Sequence, residues 1–411
     1  MSLKGLLSFA IAAAGTTGLA KIAALRKRKR VLAAFLASGE RHAFAAVARP
    51  RASIVIPVYN GAHHTLQCLL SILRLADGSF EVLVVDDGSS DETTELLSRF
   101  ENIRVEHNPK NLGFLRTANA GAKAAKGKFL VFLNNDARLV SGSLSAALDL
   151  FENEKNCGAM GARVVHVNGG LQEAGCMIYQ NGITNGYLRY HSENDPRALY
   201  QRDVDYCSGV FTIVERRQFL ALGGFDEIYA PAYFEETDLS MRLRQAGLRY
   251  IYNPRLLIDH FEFGSSAKAS TARQKIEDRR KIFLDRWRNT LREHKFFALE
   301  QTATIERAAL RLLHYPRVLY ILTPPAAAQW DIEALVKNET AATVYVLNGM
   351  PSLLRQLIAN ADMKVEFACG NNDQLLRLAR QRLGIYGRVE ATADIDPRIV
   401  LVLRELMGLS S

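Results

Sequence analysis

The stretch Ser53-Ile-Val-Ile-Pro-Val-Tyr59 decides the fold class of this chain. It is a short run of β-branched and apolar residues that stops at Asn60-Gly61. Such a run, bounded by a turn signal, predicts a strand buried on both faces. The next segment, residues 65–75, has apolar side chains at helical spacing. A buried strand followed by an amphipathic helix is the opening unit of an α/β fold.

The same alternation of strand and helix continues to residue 133. The sequence predicts strands at 80–85, 103–106 and 128–133, and helices at 92–100 and 114–125. Strands that are apolar throughout, with helices between them, are typical of a parallel doubly wound sheet. We therefore expect an α/β domain whose ligand lies beyond the carboxyl ends of the strands, where such sheets bind their ligands.

The second half of the chain is more mixed and then returns to an α/β rhythm. The sequence predicts strands near 162–167, 210–214, 249–258, 317–322, 344–347, 363–367 and 398–402, and helices at 216–222, 237–246 and 275–294. We predict four units: a basic N-terminal segment at 1–49, the main α/β domain at 50–265, a helical extension at 266–310, and a small Rossmann-like accessory domain at 311–411.

The composition is that of a globular protein. The chain has 411 residues, of which 48% are hydrophobic and 23% are charged. Two or three domains are expected at this length, and disorder, collagen-like repeats and a polytopic membrane protein are excluded. The five cysteines form no CxxC pair, which indicates neither a disulfide framework nor a zinc site and favours a reducing compartment.

The positive charge is confined to one end of the chain. Residues 1–51 contain ten Lys or Arg and one acid, Glu40, so this segment carries the whole net charge of +9. A neutral body with one basic end lacks the basic face of a nucleic-acid-binding domain. No nucleic-acid partner is therefore expected.

The basic end adjoins a weakly apolar stretch. Residues 6–25 are Ala-rich, are interrupted by Lys21, and are followed directly by the cluster Arg26–Arg30. We favour a helix that lies on an anionic cytoplasmic membrane leaflet, held there by the basic cluster, which would make the protein cytoplasmic and peripheral. A secretory signal and a solvated basic helix are the alternatives.

Polar residues follow three of the predicted strands where they end. Asp86-Asp87 can accept hydrogen bonds from a nucleotide base or from ribose hydroxyls, and the alternative is a helix cap. Asn134-Asn135-Asp136 offers one carboxylate beside two amides, which suits a hard cation that shares a diphosphate, and the alternative is a polar turn. Neither GxGxxG after the first strand nor GxxxxGK[ST] occurs, which disfavours dehydrogenases and P-loop enzymes.

Two later motifs complete the candidate site. Glu235-Glu236-Thr237-Asp238 precedes a predicted helix, where crowded acids can supply a general base or merely complement the helix dipole. His260 ends a predicted strand before Gly264, where it could contact a cation or a diphosphate or be structural.

Taken in order, these motifs resemble those of the family 2 glycosyltransferases, in particular the rhamnosyltransferase-like enzymes of bacterial surface polysaccharides. The resemblance covers roughly residues 50–290. It implies a GT-A fold, a nucleotide-diphosphate sugar donor, a glycan or lipid-linked oligosaccharide acceptor, and inversion at the anomeric carbon. The motifs that carry it are Ser53–Asn60, Asp86–Ser89, Asn111-Leu-Gly-Phe with Asn119, Asn134–Asp136, Gly223–Glu227, Glu235–Asp238 and His260 with Gly264.

The resemblance also implies roles for single residues. Asp87 would bind the nucleotide base, Asp136 would hold a divalent cation (Mg or Mn) together with His260, and Glu236 or Asp238 would be the catalytic base. The substrate-binding residues expected are Pro57, Tyr59, Asp86, Asp87, Asn119 and Asn135.

The chain departs from the family pattern at three places. The metal motif has one carboxylate, the usual Glu-Asp pair is Glu-Glu, and Phe283 stands where processive members have the glutamine that precedes Arg286-Trp287. With no membrane helices predicted after it, we expect transfer of one or a few sugars rather than chain extrusion. The alternative is a non-catalytic module that binds a nucleotide sugar; a nucleotidyltransferase is disfavoured because no triphosphate loop follows the first strand.

Overall fold

The computed structural model describes residues 3–167, 169–262, 269–293, 317–324, 327, 342–349, 365–381, 386–393, 395–407 and 409. The helices are α1 Leu3–Ser38, α2 Ala62–Leu75, α3 Thr93–Leu97, α4 Phe114–Ala124, α5 Leu144–Asn153, α6 Arg216–Ala221, α7 Glu235–Gln245, α8 Ala269–Glu293, α9 Asn372–Gln381 and α10 Pro397–Met407. Two short 3-10 turns lie at Pro196–Ala198 and Glu227–Tyr229.

The strands belong to two sheets and two short pairs. They are β1 His42–Ala43, β2 Ala52–Val58, β3 Phe80–Asp86, β4 Phe100–Glu101, β5 Ile103–His107, β6 Phe129–Leu133, β7 Ala137–Ser141, β8 Cys157–His166, β9 Leu171–Glu173, β10 Cys176–Ile178, β11 Thr184–Gly186, β12 Arg202–Val204, β13 Phe211–Glu215, β14 Arg249–His260, β15 Arg317–Leu322, β16 Ala342–Leu347, β17 Val365–Gly370 and β18 Tyr386–Ala391.

The main sheet confirms the predicted α/β class and is mixed rather than wholly parallel. Among the described residues its order is β12-β14-β8-β13-β6-β2-β3-β5, with β7 beside β14 and β9 beside β8. The predicted strands β2, β3, β5 and β6 pair in parallel. β13 enters antiparallel between β6 and β8 and joins the second half of the domain to this parallel core.

The central strands are buried on both faces, which explains their continuous apolar sequence. In β2 all seven residues are buried, with Val55 facing one hydrophobic cluster and Ile54 and Ile56 the other. Helices α4, α7 and α8 cover the first face, and α1, α2 and α5 cover the second. Gly121 of α4 allows close contact with the sheet, because a Cβ there would lie 2.4 Å from Val55 Cγ1.

The second half of α1 packs as part of the main domain. Leu32 and Phe35 lie in the hydrophobic cluster that β2 and α2 build, and Phe44 joins them. The sequence predicts a separate segment up to residue 49. In the structure Lys21 already donates to the Glu262 carbonyl at 2.7 Å, and Arg28, within the basic cluster, is buried. In the described part of the chain, none of the helices is both long and apolar enough to cross a membrane.

The C-terminal residues form a second, smaller parallel sheet of order β17-β16-β15-β18. One prediction here is wrong: residues 398–402 lie in helix α10, and the fourth strand is β18. The Ile-Val-Leu-Val run resembles a strand, but Pro397 opens the helix and Asp396 accepts a hydrogen bond from the Arg398 amide. One face of α10 is buried at Leu403, while Leu401 is 49% exposed.

Candidate active site

The polar strand ends meet at one edge of the main sheet. The strands β2, β3 and β6 are parallel neighbours, so their carboxyl ends lie side by side. β14 runs in the same direction as β6, because it is parallel to β8 and both β8 and β6 are antiparallel to β13. The ends of β2, β3, β6 and β14 are thus at the same edge.

Asp136 and His260, which the sequence places on two different strands, lie together at this edge. Asp136 Oδ1 is 3.3 Å from His260 Nε2, and both residues are buried. Burial raises the pKa of this carboxyl group, but the neighbouring His260, His64 and Arg28 outweigh it and hold the pKa of Asp136 below its usual value. On the other side of the imidazole ring, Nδ1 lies 2.7 Å from Gln172 Oε1.

The Asp136–His260 contact is an ion pair: burial lowers the pKa of His260, but Asp136 outweighs it and the pKa is raised. Its length is also close to the separation of two adjacent ligands of a metal ion. Ligands of an octahedral ion at about 2.1 Å, set at right angles, are about 3 Å apart. One carboxylate oxygen with one imidazole nitrogen is a donor set that Mn²⁺ accepts. Within the described residues no group of three or more His, Cys, Asp or Glu is gathered as metal ligands, so the remaining positions would fall to a substrate and water.

Arg28 of α1 reaches this edge, which sequence reasoning missed because it placed the residue in a surface tail. Its guanidinium donates to Nδ1 of His64 at 2.8 Å and to the Asp136 carbonyl at 3.4 Å, and it covers the Phe261 ring at 4.9 Å. Burial, followed by the charges of His63 and Arg28, lowers the pKa of His64 to about 3. Neutral His64 accepts a hydrogen bond from Arg28, and the same guanidinium donates a second hydrogen bond to the backbone of Asp136.

Helix α7 begins at the two adjacent acids, and the backbone of the two residues before it is strained. Tyr233 and Phe234 both have positive φ, at 78° and 70°, a conformation that bulky side chains rarely adopt. Such strain concentrates at functional sites because the surrounding structure must hold it. Helix α7 starts at Glu235, two residues earlier than predicted, so both acids lie in its first turn.

The two acids differ in their protonation. Burial and the neighbouring Glu236 raise the pKa of Glu235 well above its usual value. Burial and the charge of Glu173 raise the pKa of Glu236 to about 7. Among the described residues Oε2 of Glu236 is buried and has no hydrogen-bond partner, and the same holds for Oε2 of Glu235.

Asp238 has the opposite character, since the protein surrounds its carboxylate with donors. Trp287 Nε1 donates at 2.8 Å, Arg242 Nε at 2.7 Å and the Tyr229 hydroxyl at 3.2 Å. The residue is fully buried. Its contacts join α7 to α8, and they leave no side of the carboxylate open to an acceptor.

Asp87 and Asp86 organise the loops at the end of β3. Asp87 Oδ1 accepts from Asn108 Nδ2 at 2.7 Å and from the Leu112 amide at 2.9 Å, and Oδ2 accepts from the Gly113 amide at 2.8 Å. Asp86 accepts from the Ser89 amide at 3.0 Å. A carboxylate has about four acceptor positions, so Asp87 keeps one on Oδ2.

Among the other expected substrate-binding residues, Tyr59 is exposed, whereas Pro57 is buried and Asn135 is hydrogen-bonded within the protein. Tyr59 is 45% exposed at the end of β2, and Pro57 is in the buried strand before it. Asn135 Nδ2 donates to Thr65 Oγ1 at 3.1 Å and to the Asn60 carbonyl at 3.3 Å.

Asn119 faces away from this edge. It exchanges two hydrogen bonds with the backbone of Phe225, at 2.7 and 2.9 Å, and thereby holds the Gly223–Gly224 turn against α4. A Cβ at Gly224 would lie 2.7 Å from Asn119 Oδ1, so this turn needs glycine for both space and its positive φ of 72°.

A continuous set of contacts connects the candidate residues. The Gly209 amide donates to the Glu236 carboxylate, and the next carbonyl, of Val210, accepts from the Asn134 amide at 3.0 Å. Asn135 contacts Asn60, whose Oδ1 accepts from the Ser90 amide at 2.7 Å in the loop after Asp87. The ends of β3 and β6 and the start of α7 are thus linked by hydrogen bonds.

Comparison with known proteins identifies the domain that carries this site. Residues 53–217 match the model of the family described as "Glycosyl transferase family 2". An N-acetylglucosaminyl-diphospho-decaprenol L-rhamnosyltransferase of Mycobacterium tuberculosis is 26% identical over 243 residues, 52% of this chain and 77% of that protein. The O-antigen biosynthesis protein RfbC of Myxococcus xanthus is 28% identical over 230 residues, 53% of this chain and 18% of that protein.

Other relatives are much longer, and the chain spans 27%, 17% and 15% of the length of three of them. Among solved structures, a mannosyltransferase from Pyrobaculum calidifontis in complex with GDP-Man and Mn²⁺ is similar, with a TM-score of 0.41 and 17% identity over 70% of this chain and 76% of that one. The predicted family 2 resemblance is confirmed by the family match.

Proposed function

We propose, from the premise that residues 53–217 form a family 2 glycosyltransferase domain, that this protein is an inverting glycosyltransferase of bacterial surface polysaccharide synthesis. It would move a sugar from a nucleotide-diphosphate donor to a hydroxyl of a glycan or a lipid-linked acceptor. The observation that carries the proposal is Glu236, a carboxylate with a pKa raised to about 7 and one buried oxygen that has no hydrogen-bond partner among the described residues. It is connected through residues 209–210 to the strand end that bears Asp136.

The donor would lie along the carboxyl edge of β2, β3 and β6. Tyr59 offers an exposed aromatic ring for the base, and Asp87 keeps one acceptor position for it. Asp136 and His260 would hold a divalent cation, Mg or Mn, beside the donor's diphosphate. A bound cation supplies the charge that neutralises a departing diphosphate.

The reaction would be a single displacement. Glu236 takes the proton of the acceptor hydroxyl, and the oxygen forms a bond to the anomeric carbon from the side opposite the diphosphate. The bond between that carbon and the diphosphate oxygen breaks, its electron pair leaves with the nucleoside diphosphate, and the configuration inverts. Asp238 would position α7 through Trp287 and Arg242 rather than act as the base.

The acceptor and the location are inferred from the relatives and from α1. The mycobacterial relative is named for a diphospho-decaprenol substrate, and the Myxococcus relative for O-antigen synthesis. The basic residues on the outer side of α1 are exposed and suit an anionic lipid surface, and they are Arg26, Lys27, Lys29 and Arg30. We therefore place the protein at the inner face of the bacterial cytoplasmic membrane, in peripheral contact through its N-terminal segment.

The test begins with donor binding. Thermal stability is measured with UDP-, dTDP- and GDP-sugars, each with and without Mn²⁺, because a ligand stabilises in proportion to the logarithm of its concentration over its dissociation constant. The stabilising donor is then offered with polyprenyl-diphosphate sugar acceptors, and product formation and anomeric configuration are measured.

Two variants and two matched controls complete the experiment. We expect Glu236→Gln and Asp136→Asn to abolish transfer while the protein stays folded. Glu227→Gln and Asp149→Asn make the same changes at exposed positions and should transfer normally. Near-normal turnover in Glu236→Gln or Asp136→Asn would reject the site. Donor binding without transfer to any acceptor would favour the non-catalytic binding module instead.

A further inference from the structure

Strand β9 has only three residues, and two of them are buried polar side chains. It follows β8 through a tight turn in which the His166 amide donates to the Gly170 carbonyl at 2.8 Å, and it pairs antiparallel with β8. The pairing shifts register at Gln172, and Gln172 and Glu173 contact different groups. Their exposed fractions are 5% and 3%, which makes both costly to bury without a specific partner.

Gln172 contacts the cation end of the site. Its Oε1 lies 2.7 Å from His260 Nδ1, and the opposite ring nitrogen, Nε2, lies 3.3 Å from Asp136 Oδ1. An amide oxygen can only accept, so Nδ1 carries the proton in this contact. The Nε2 atom is thereby turned toward Asp136, and a ring held at both nitrogens cannot flip without losing a contact.

Glu173 contacts the base end of the site. Its Oε1 accepts from the Ser208 amide at 2.8 Å, and its Oε2 lies 3.1 Å from Cys176 Sγ. The next amide along the chain, Gly209, donates to the Glu236 carboxylate. Two buried carboxyl groups, one from strand β9 and one from helix α7, therefore accept hydrogen bonds from successive amides of a single loop.

We propose that β9 is the positioning strand of the active site: Gln172 orients His260 toward the cation position, and Glu173 fixes the Ser208–Gly209 loop that contacts the base Glu236. The inference rests on the proposed function, because it assigns these partners to a cation ligand and a base. Neither residue touches the reacting atoms, so both are positioning residues.

The Gln172 half is tested by binding of Mn²⁺ alone, measured by electron paramagnetic resonance of the free ion. Outer partners of metal ligands contribute about 10- to 100-fold in affinity. Gln172→Leu should therefore bind Mn²⁺ at least tenfold more weakly than the wild type, and Gln172→Glu, which keeps an acceptor for Nδ1, should restore binding. Gln201→Leu is the matched control, because Gln201 is equally buried but bonds to Glu154.

Nitrogen-15 shifts of the His260 ring give a second readout that needs no metal. The wild type should show a proton on Nδ1, and Gln172→Leu should show a mixture of tautomers. Mn²⁺ affinity within twofold of the wild type in Gln172→Leu, or no measurable Mn²⁺ binding by the wild type, would overturn this half of the proposal.

The Glu173 half is tested by the pH profile and by the separation of kcat from KM. Among the described residues, the charged and titratable groups around Glu236 include Glu235 on α7, Glu173 on β9, Tyr206 and Tyr250. Those around Glu173 include Cys176, Arg189 and also Tyr250. Glu173→Ala removes the anchor of the Ser208 amide and should lower kcat at least tenfold while the donor KM stays within twofold.

Glu173→Gln keeps the acceptor for the Ser208 amide and should recover most of kcat. Burial raises the pKa of Glu173 itself. At a pH where Glu173 is ionised, its replacement by glutamine removes a negative charge near Glu236, so the acidic limb of the profile should move to lower pH. If Glu173 only supported the fold, its replacement would reduce the yield of folded protein without moving this limb of the pH profile. An unmoved limb in Glu173→Gln, or equal losses of kcat in Glu173→Gln and Glu173→Ala, would overturn this half.

The outcomes also separate this inference from the proposed function. Gln172→Leu should weaken Mn²⁺ binding without moving the acidic limb of the pH profile. Glu173→Gln should move the acidic limb without weakening Mn²⁺ binding. If the wild type transfers no sugar but its Mn²⁺ affinity depends on Gln172, the proposed function fails and the Gln172 half stands. If transfer occurs and neither variant has its effect, the positioning role of β9 fails while the transferase stands.

Discussion

The adjacent acids Glu235 and Glu236 allow a sharp test of which group is the catalytic base. The pKa of Glu235 is raised well above its usual value by burial and by its neighbour, whereas that of Glu236 rises to about 7. Of these two neighbouring acids, Glu235 is the one in which burial more strongly favours the uncharged form, which resembles a glutamine in charge. Replacement of Glu235 by Gln should therefore change little, and replacement of Glu236 by Gln should remove the base.

The structure sets the expected magnitudes. General base catalysis contributes about 10²- to 10⁴-fold, so Glu236→Gln should lower kcat by that factor. Glu235→Gln should retain kcat within about threefold. In the wild type only the ionised form of Glu236 can accept a proton, so about a tenth of the enzyme is active one pH unit below its pKa of about 7. Activity should thus fall about tenfold for each further pH unit toward acid.

The assay measures the release of nucleoside diphosphate at saturating donor and acceptor, between about pH 5 and pH 9, at constant ionic strength. The Glu235→Gln profile should keep the wild-type acidic limb, and donor binding should be unchanged in both variants. Equal losses in the two variants would refute the assignment. So would a wild-type acidic limb below about pH 5, because the base would then have an unperturbed pKa.

Further predictions concern stability and binding. The folded-state pKa of Glu236, about 7, lies above the ordinary value of 4.5, so its contribution to stability is full below pH 4.5 and lost as the pH rises through 7. Glu236→Gln should therefore raise the free energy of unfolding at high pH, on the order of 2 kcal/mol, and should leave it unchanged at pH 4. Urea unfolding at both pH values measures this difference and would expose an error of sign. Arg28→Met leaves Nδ1 of His64 without its buried donor, and the Asp136 carbonyl keeps, among the described residues, only the Phe261 amide. The loss should cost about 1–3 kcal/mol in urea unfolding, and an unchanged midpoint would contradict the buried role of Arg28. Asn119→Ala should lower the free energy of unfolding by about 1–3 kcal/mol, because the hydrogen bonds to Phe225 are lost. Donor binding by the folded protein should not change. Weakened donor binding would instead support Asn119 as a substrate-binding residue. The exposed basic positions of α1 are Arg26, Lys27, Lys29 and Arg30. Glutamine at all four should weaken binding to phosphatidylglycerol vesicles by about 1 kcal/mol per residue and leave binding to phosphatidylcholine vesicles unaffected. An unchanged distribution of the protein in vesicle sedimentation would reject the lipid surface.

Much of the main domain could be predicted because its signals are local. The strands at 53–59, 80–85 and 128–133 were predictable because burial on both faces demands continuous apolar runs. Parallel pairing then brings the residues after these strands to one edge, whichever helices lie between them. The run at 398–402 shows the limit of such signals, since a short β-branched segment reads as a strand until its proline and cap are weighed.

The amino-acid sequence by itself therefore determined the α/β class, the polar strand ends and the family resemblance, all of which depend on neighbouring residues. Only the tertiary structure decided what each polar side chain does. Asp238 is enclosed by Trp287, 49 residues away, and His260 is oriented by Gln172, 88 residues away. Hydrogen-bond partners and burial set the charge and freedom of a carboxylate, and both come from parts of the chain that meet only when it folds.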